Sequence, residues 1–190
     1  MSPSHITSSM VTNLLTLNFF ELFELPARYD VDLRELRTRY ADLQQTVHPD
    51  RFASAGDVEK RLSMQQTSHI NEAYQTLKDP VARAVYLLKL KGTDVHMDNE
   101  TTSDMAFLME QMALREALAD IRGNEDPLGK LDRLAAEVRQ SMSELSAEFS
   151  ALYENDRLED SREVIRKLQF LSKAGREIAE LTNTLEDETL

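Results

Sequence analysis

Apolar residues recur along this chain in alternating steps of three and four, the period of helices buried on one face. The stretch Asn18–Leu25 reads as a short apolar helix, with Asn18 as N-cap and Pro26 as its stop. A second helix starts at Asp32, with Glu35 three positions on in capping-box spacing. Its stripe is Leu33, Leu36, Tyr40, Leu43 and Val47. Pro49 lacks a backbone N–H and pushes His48 out of the α region, so the helix breaks at a tight tip. A third helix, from about Asp57 to Leu77, carries Leu62, Gln66, Ile70, Ala73 and Leu77 inward and returns antiparallel to the second. Asp79 and Pro80 then cap a fourth helix bearing Val81, Arg83, Tyr86, Leu87, Leu88 and Leu90, which Gly92 closes.

Beyond a linker near residues 93–102 the helical period resumes. Ser103 is placed to cap a helix ending at Arg122-Gly123. At about 100° per residue, Phe107, Leu114, Leu118 and Ile121 share one face of it, while Met105, Leu108, Met109 and Met112 gather nearly opposite, with Glu116 beside them. Two apolar faces mean either burial on both sides or one face kept for binding. Asp126 and Pro127 start a long helix with the stripe Leu131, Ala135, Val138, Met142, Leu145, Phe149 and Leu152. After a turn at Glu154-Asn155-Asp156, the last helix carries Val164, Ile165, Leu168, Leu171, Ile178, Leu181 and Leu185, with Phe170 off that stripe. The fold class expected is therefore all-α: an antiparallel helical hairpin plus short helices, then a C-terminal three-helix bundle. The organisation expected is a flexible extension over 1–17, a first domain over 18–92, a linker over 93–102 and the bundle over 103–190.

Composition narrows the function. Few breakers (Gly 5, Pro 5) suit a helical protein, and with no Cys there is neither a disulfide framework nor a thiolate nucleophile. The net charge of −12 disfavours non-specific nucleic-acid binding, and no apolar run is long enough to span a membrane. The first basic residue is Arg28, so the N-terminus carries no signal-peptide or transit-peptide charge pattern. The charge is segregated. Residues 28–61 hold seven basic and seven acidic side chains, whereas residues 94–160 hold 17 acidic and six basic ones. The neutral segment is free to present Arg34 and Arg37, in line with Gln44 and His48, to an acidic partner, while Arg39 falls on another face.

The stretch His48-Pro49-Asp50 holds out an imidazole, a fixed ring and a carboxylate between two helices. Alone it is an ordinary proline turn. In order with Leu25-Pro26, Ile70-Asn71-Glu72-Ala73-Tyr74-Gln75-Thr76-Leu77, Asp79-Pro80, Arg83 and Tyr86, it resembles a J-domain over roughly residues 18–90. The resemblance implies a co-chaperone that stimulates ATP hydrolysis by a DnaK-class chaperone. It implies chaperone contacts at His48, Pro49, Asp50, Arg34, Arg37 and Arg39, with Arg51 where a lysine is common.

Further on, Phe107-Leu108-Met109-Glu110-Gln111-Met112, Leu114-Arg115-Glu116 and Arg166-Lys167-Leu168-Gln169-Phe170-Leu171 resemble the C-terminal domain of the HscB-type J-proteins of iron–sulfur cluster assembly. That resemblance implies an L-shaped molecule that delivers the scaffold protein IscU to the chaperone HscA. It implies a scaffold-binding patch of Leu108, Met109, Met112, Glu116 and Phe170. Ala113 stands where the family often has an acidic residue, and Met112 where leucine is usual. Some eukaryotic members carry a Cys-rich zinc module that a chain without Cys cannot form, so a bacterial, cytoplasmic form is implied. A J-domain protein with a different client is the alternative.

Other chemistry is weakly supported. No Gly-rich phosphate loop follows a strand, and His5, His48, His69 and His96 form no HExxH pair. A hydrolase using His48 and Asp50 would need a pocket and a third partner, which a two-helix tip does not supply. The expectation is a non-enzymatic adaptor that binds two proteins and requires no cofactor or metal of its own.

Overall fold

The computed structural model describes residues 14–48, 56–95, 102 and 104–188. Residues 1–13 of the expected extension, residues 49–55 around the tip, residues 96–101 of the linker and Ser103 lie outside the described residues. The described residues form helices and turns only. The helices are α1 (Phe19–Leu22), α2 (Leu33–Val47), α3 (Asp57–Lys78), α4 (Pro80–Leu90), α5 (Met105–Ala119), α6 (Pro127–Glu154) and α7 (Leu158–Glu188). Short 3-10 turns occupy Leu14–Thr16 and Ile121–Gly123. The chain divides into two compact units, residues 1–87 and 88–190.

In the first unit, Asn18 caps α1 by accepting from the Phe20 and Glu21 amides, and the Glu21 carboxylate accepts from the Asn18 amide, closing a capping box. The helix is shorter than its apolar run suggested. It ends at Leu22 because Glu24 adopts a left-handed conformation (φ 51). The Glu24 amide then donates to the Glu21 carbonyl and the Leu25 amide to the Phe20 carbonyl, a Schellman cap that turns the chain before Pro26 is reached. This bend still buries Phe20, Leu22, Phe23 and Leu25.

Helices α2 and α3 form the hairpin. The two helices pack together, with Leu36 and Val47 of α2 and Ile70, Ala73 and Leu77 of α3 all at most 2% exposed. Leu33, expected on the seam, is 50% exposed, because it sits in the first turn beyond the contact. Polar groups complete the seam: the Tyr40 ring stacks on Tyr74 at 4.1 Å, and the Tyr40 hydroxyl donates to Asn71 Oδ1 at 2.9 Å. The Gln44 amide donates to both of these oxygens. Helix α4 locks back onto the unit through side chains. Arg83, 8% exposed, donates to the Leu77 carbonyl at 2.6 Å and lies over the Tyr29 ring. Burial lowers its pKa, with Tyr29 and nearby carboxylates opposing that shift. The Tyr86 hydroxyl accepts from the Phe19 amide at 2.9 Å while the two rings stack at 4.3 Å. Leu90 is 40% exposed at the helix end. Gly92 (φ 77) ends that run with a Schellman cap of its own.

The second unit is built on the long antiparallel pair α6 and α7. Its core holds Phe107, Leu118, Ile121, Leu131, Val138, Leu171 and Ile178, with Leu114, Met142, Phe170 and Leu181 half-buried against it. Each fully buried Leu, Ile or Phe contributes roughly 1.5–3 kcal/mol, so this apolar layer dominates the unit's stability. The turn between α6 and α7 is another Schellman cap, with Asp156 left-handed (φ 56). The α5 N-cap is Asp104, one residue after the expected Ser103. Thr102, placed in the linker by the sequence pattern, is 7% exposed and bonds Glu163 of α7, so it belongs with the bundle.

Candidate functional site

Two surfaces carry the residues singled out by the sequence. The first lies at the end of α2. His48 is the C-cap of that helix, exposed, with φ −54 and ψ 130, the extended geometry that a following proline enforces. Pro49, Asp50 and Arg51 lie outside the described residues. The last carbonyls of a helix have no intrahelical partner. Here the fully buried Ser63 of α3 donates its hydroxyl to the Val47 carbonyl at 2.7 Å. This bond ties the end of α2 to α3 one residue before His48, a role that sequence periodicity could not reveal.

Arg34 and Arg37 are exposed on α2. Arg39 is different. Its guanidinium bridges Glu35, at 3.0 Å, and Glu24 of the α1 bend. Those hydrogen bonds, Glu35 first and then Glu24, raise its pKa. Glu35, expected to complete a capping box at Asp32, is turned toward Arg39 instead. Asp32 alone caps α2, accepting from the Arg34 and Glu35 amides. Arg39 therefore braces the corner between α1 and α2, on a different side of the helix from Arg34 and Arg37.

The second surface is α5. Phe107 and Leu118 turn inward, and the opposite face is open: Met105 is 69% exposed, Met109 66% and Met112 71%. Within the second unit, the core elements pack on the Phe107 side and leave the methionine side open. Glu116 and Ala113 are exposed and Leu108 is half-buried. Phe170 of α7 sits at the interhelix edge. Its ring meets Phe107 edge-on at 5.7 Å, and Arg115 lies 5.8 Å over it. The structure thus places Phe170 against the neighbours in sequence of Leu108 and Glu116. Arg115 is the residue the sequence reasoning passed over, and its signal was positional, three residues beyond Met112 on the helix.

The first turn of α5 is clamped. The Asp104 carboxylate accepts from the Phe107 amide at 3.1 Å and from Lys167 Nζ at 2.6 Å. The Lys167 bond, then the Phe107 amide, hold the Asp104 pKa below the usual carboxylate value. At the other end, Arg122 makes a two-pronged pair with Glu188, at 2.9 and 3.1 Å. These pairs connect the start of α5, and the 3-10 turn that follows it, to α7. Beneath it runs an apolar groove of about 420 Å³, lined by Phe107, Leu114, Leu134, Val138 and Leu171 among others.

Among the described residues, no group of three or more His, Cys, Asp or Glu could hold a metal ion, and no helix is long and apolar enough to cross a membrane. The two surfaces present an exposed imidazole at a helix end and a stripe of flexible apolar side chains.

Comparison with known proteins agrees with this division. Residues 18–86 match the DnaJ domain, and residues 103–179 match the HSCB C-terminal oligomerisation domain. A co-chaperone protein HscB homolog of Cupriavidus taiwanensis is 44% identical over 170 residues, covering 90% of this chain and 96% of that protein. The chaperone HscB from Vibrio cholerae superposes with a TM-score of 0.80 at 36% identity, over 89% of this chain and 99% of that one. Human co-chaperone protein HscB gives 0.79 at 30% identity, over 92% of this chain and 84% of that one. The chain belongs to the HscB family of co-chaperones, all-α proteins that join a J-domain to an HscB C-terminal helical domain.

Proposed function

We propose that this co-chaperone acts as a cytoplasmic adaptor in iron–sulfur cluster assembly. Residues 18–92 stimulate ATP hydrolysis by HscA, a DnaK-class chaperone, through His48, Pro49 and Asp50, with Arg34, Arg37 and Arg51 steering an acidic chaperone surface. Arg39, ion-paired within the unit, supports the geometry of α2 more than it supplies a free charge. Residues 103–190 hold the scaffold protein IscU on Leu108, Met109, Met112, Glu116 and Phe170. The two activities sit on one chain, so scaffold bound to α5 arrives at the chaperone as its ATPase is triggered.

The observation that carries this reading is the open methionine face of α5. Met109 and Met112 are more than 60% exposed on a helix whose opposite face sends Phe107 and Leu118 into the core. Contiguous apolar surface of that kind on a capped helix is the form of a docking site.

Titration calorimetry against IscU tests it. Met109→Ala combined with Met112→Ala should weaken scaffold binding about tenfold or more. The double variant should leave chaperone ATPase stimulation measured without scaffold unchanged. Unaltered scaffold affinity overturns the assignment of the patch. Asp50→Asn should do the reverse, removing ATPase stimulation while scaffold still binds.

A further inference from the structure

We infer that the α5 stripe is an oxidation-sensitive site: peroxide converts Met105, Met109 and Met112 to sulfoxides and so releases the client. This rests on the reading of α5 as the scaffold-binding face. At about 100° per residue, Met105, Met109, Met112 and Glu116 fall within about 60° of one another, making a single line along the helix. Met105 lies on that line, a full turn before Met109, and at 69% exposure it is as open as the other two. The residue before it, Asp104, caps the helix at the Phe107 amide and pairs with Lys167 of α7.

Three thioethers in a row, each about two-thirds exposed, are the most accessible sulfur cluster among the described residues. Met142 is half-buried in the bundle core, and Met64 stands alone on α3 at 65% exposure. The chain has no Cys, so no thiol competes for oxidant. The chemistry is a two-electron transfer. The sulfur lone pair attacks one oxygen of hydrogen peroxide, an S–O bond forms and the O–O bond breaks. The thioether is oxidised to sulfoxide, and the second oxygen leaves with both protons as water. The product is a polar, chiral group where a flexible apolar one stood, and methionine sulfoxide reductases reverse it. An apolar contact surface would become a row of hydrogen-bond acceptors that a dry interface must desolvate. Because all three side chains point to solvent, the fold itself loses no packing.

The test uses the full chain and IscU. The protein is treated with hydrogen peroxide, freed of oxidant, mapped by mass spectrometry and titrated with scaffold by calorimetry. A second variant combines Met105→Leu, Met109→Leu and Met112→Leu, a swap that keeps apolar volume and removes sulfur. The wild-type chain should gain sulfoxide at the three stripe positions before Met142, and bind scaffold about tenfold more weakly, the equivalent of about 1.4 kcal/mol. Thermal stability should hold, and reductase treatment should restore affinity. The leucine variant should bind equally well before and after peroxide. The inference is overturned if wild-type protein carrying the three sulfoxides binds as tightly as before. It is also overturned if the leucine variant weakens as much, or if Met142 oxidises first. Failure of untreated protein to bind scaffold at all is a separate result, which sinks the scaffold reading and the inference built on it.

Discussion

Replacing Ser63 with Ala isolates the bond that fixes the end of α2. The change removes one oxygen from a fully buried site, so it opens almost no cavity. It deletes the donor 2.7 Å from the Val47 carbonyl. That carbonyl belongs to the last turn of α2, where no intrahelical N–H reaches it. A typical hydrogen bond contributes about 0.5–1.5 kcal/mol, but stranding a buried acceptor costs about 1–3 kcal/mol. The second range applies here, because Val47 is only 2% exposed and water has little access. Ser63→Ala should therefore destabilise the first unit by about 1–3 kcal/mol, which is about 4–8 °C in Tm per kcal/mol for a unit of this size. Local amide exchange should place the loss. Protection should fall in the last turns of α2 and the first turns of α3, while α6 and α7 keep theirs. Chaperone ATPase stimulation, measured well below the melting transition, should drop because His48 follows the loosened carbonyl directly. A destabilisation below about 0.5 kcal/mol would show that the carbonyl finds another partner at no cost, and would refute the claim that Ser63 fixes the end of α2.

Three other outcomes follow from particular contacts. The Asp104 pKa is depressed, so its cap and its Lys167 tie stabilise the bundle above the ordinary Asp value of about 3.9 and are lost as pH falls through the lower folded value. Asp104→Asn should reduce stability at neutral pH and flatten the acid limb of the stability curve. Gly175 lies inside α7, and an added Cβ would stand 3.6 Å from Val138 Cγ1, an ordinary contact. Gly175→Ala should accordingly raise stability by about 0.5–1 kcal/mol in urea unfolding. Met142→Glu, which puts a charge at a half-buried core position, should lower bundle stability by more than Met109→Glu on the open face, when the two are compared by thermal melting.

Much of the fold could be read directly because its helices are ordinary in one respect: their apolar residues return every three or four positions. The stripes of α6 and α7 lie in the core largely as spaced, and Gln66, an unlikely core residue by type, is fully buried where the α3 period places it. Helix ends were harder to read. Of the three Schellman caps among the described residues, only the one at Gly92 uses the residue that costs nothing at positive φ. Glu24 and Asp156 carry the other two, held by packing that local sequence does not encode, so α1 was expected to run on to Pro26. Charge was hardest of all. Periodicity puts Arg39 on a different face from Arg34 and Arg37, but only the bend at Glu24 shows that it is ion-paired within the fold. On α5 the pattern exposed the surplus face but could not choose between burial and openness, because that depends on whether another element covers it.

The central claim is that one chain couples a client held on α5 to a chaperone triggered at the end of α2. The direct measurement is the ATPase rate of the DnaK-class partner, titrated with this co-chaperone in the presence and absence of scaffold, for the wild-type chain and Met109→Glu. Two linked contacts raise the effective concentration of the second, so scaffold should lower the half-maximal concentration of the wild-type chain. Met109→Glu should stimulate normally alone and gain nothing from scaffold. An equal gain from scaffold in both proteins would contradict the account.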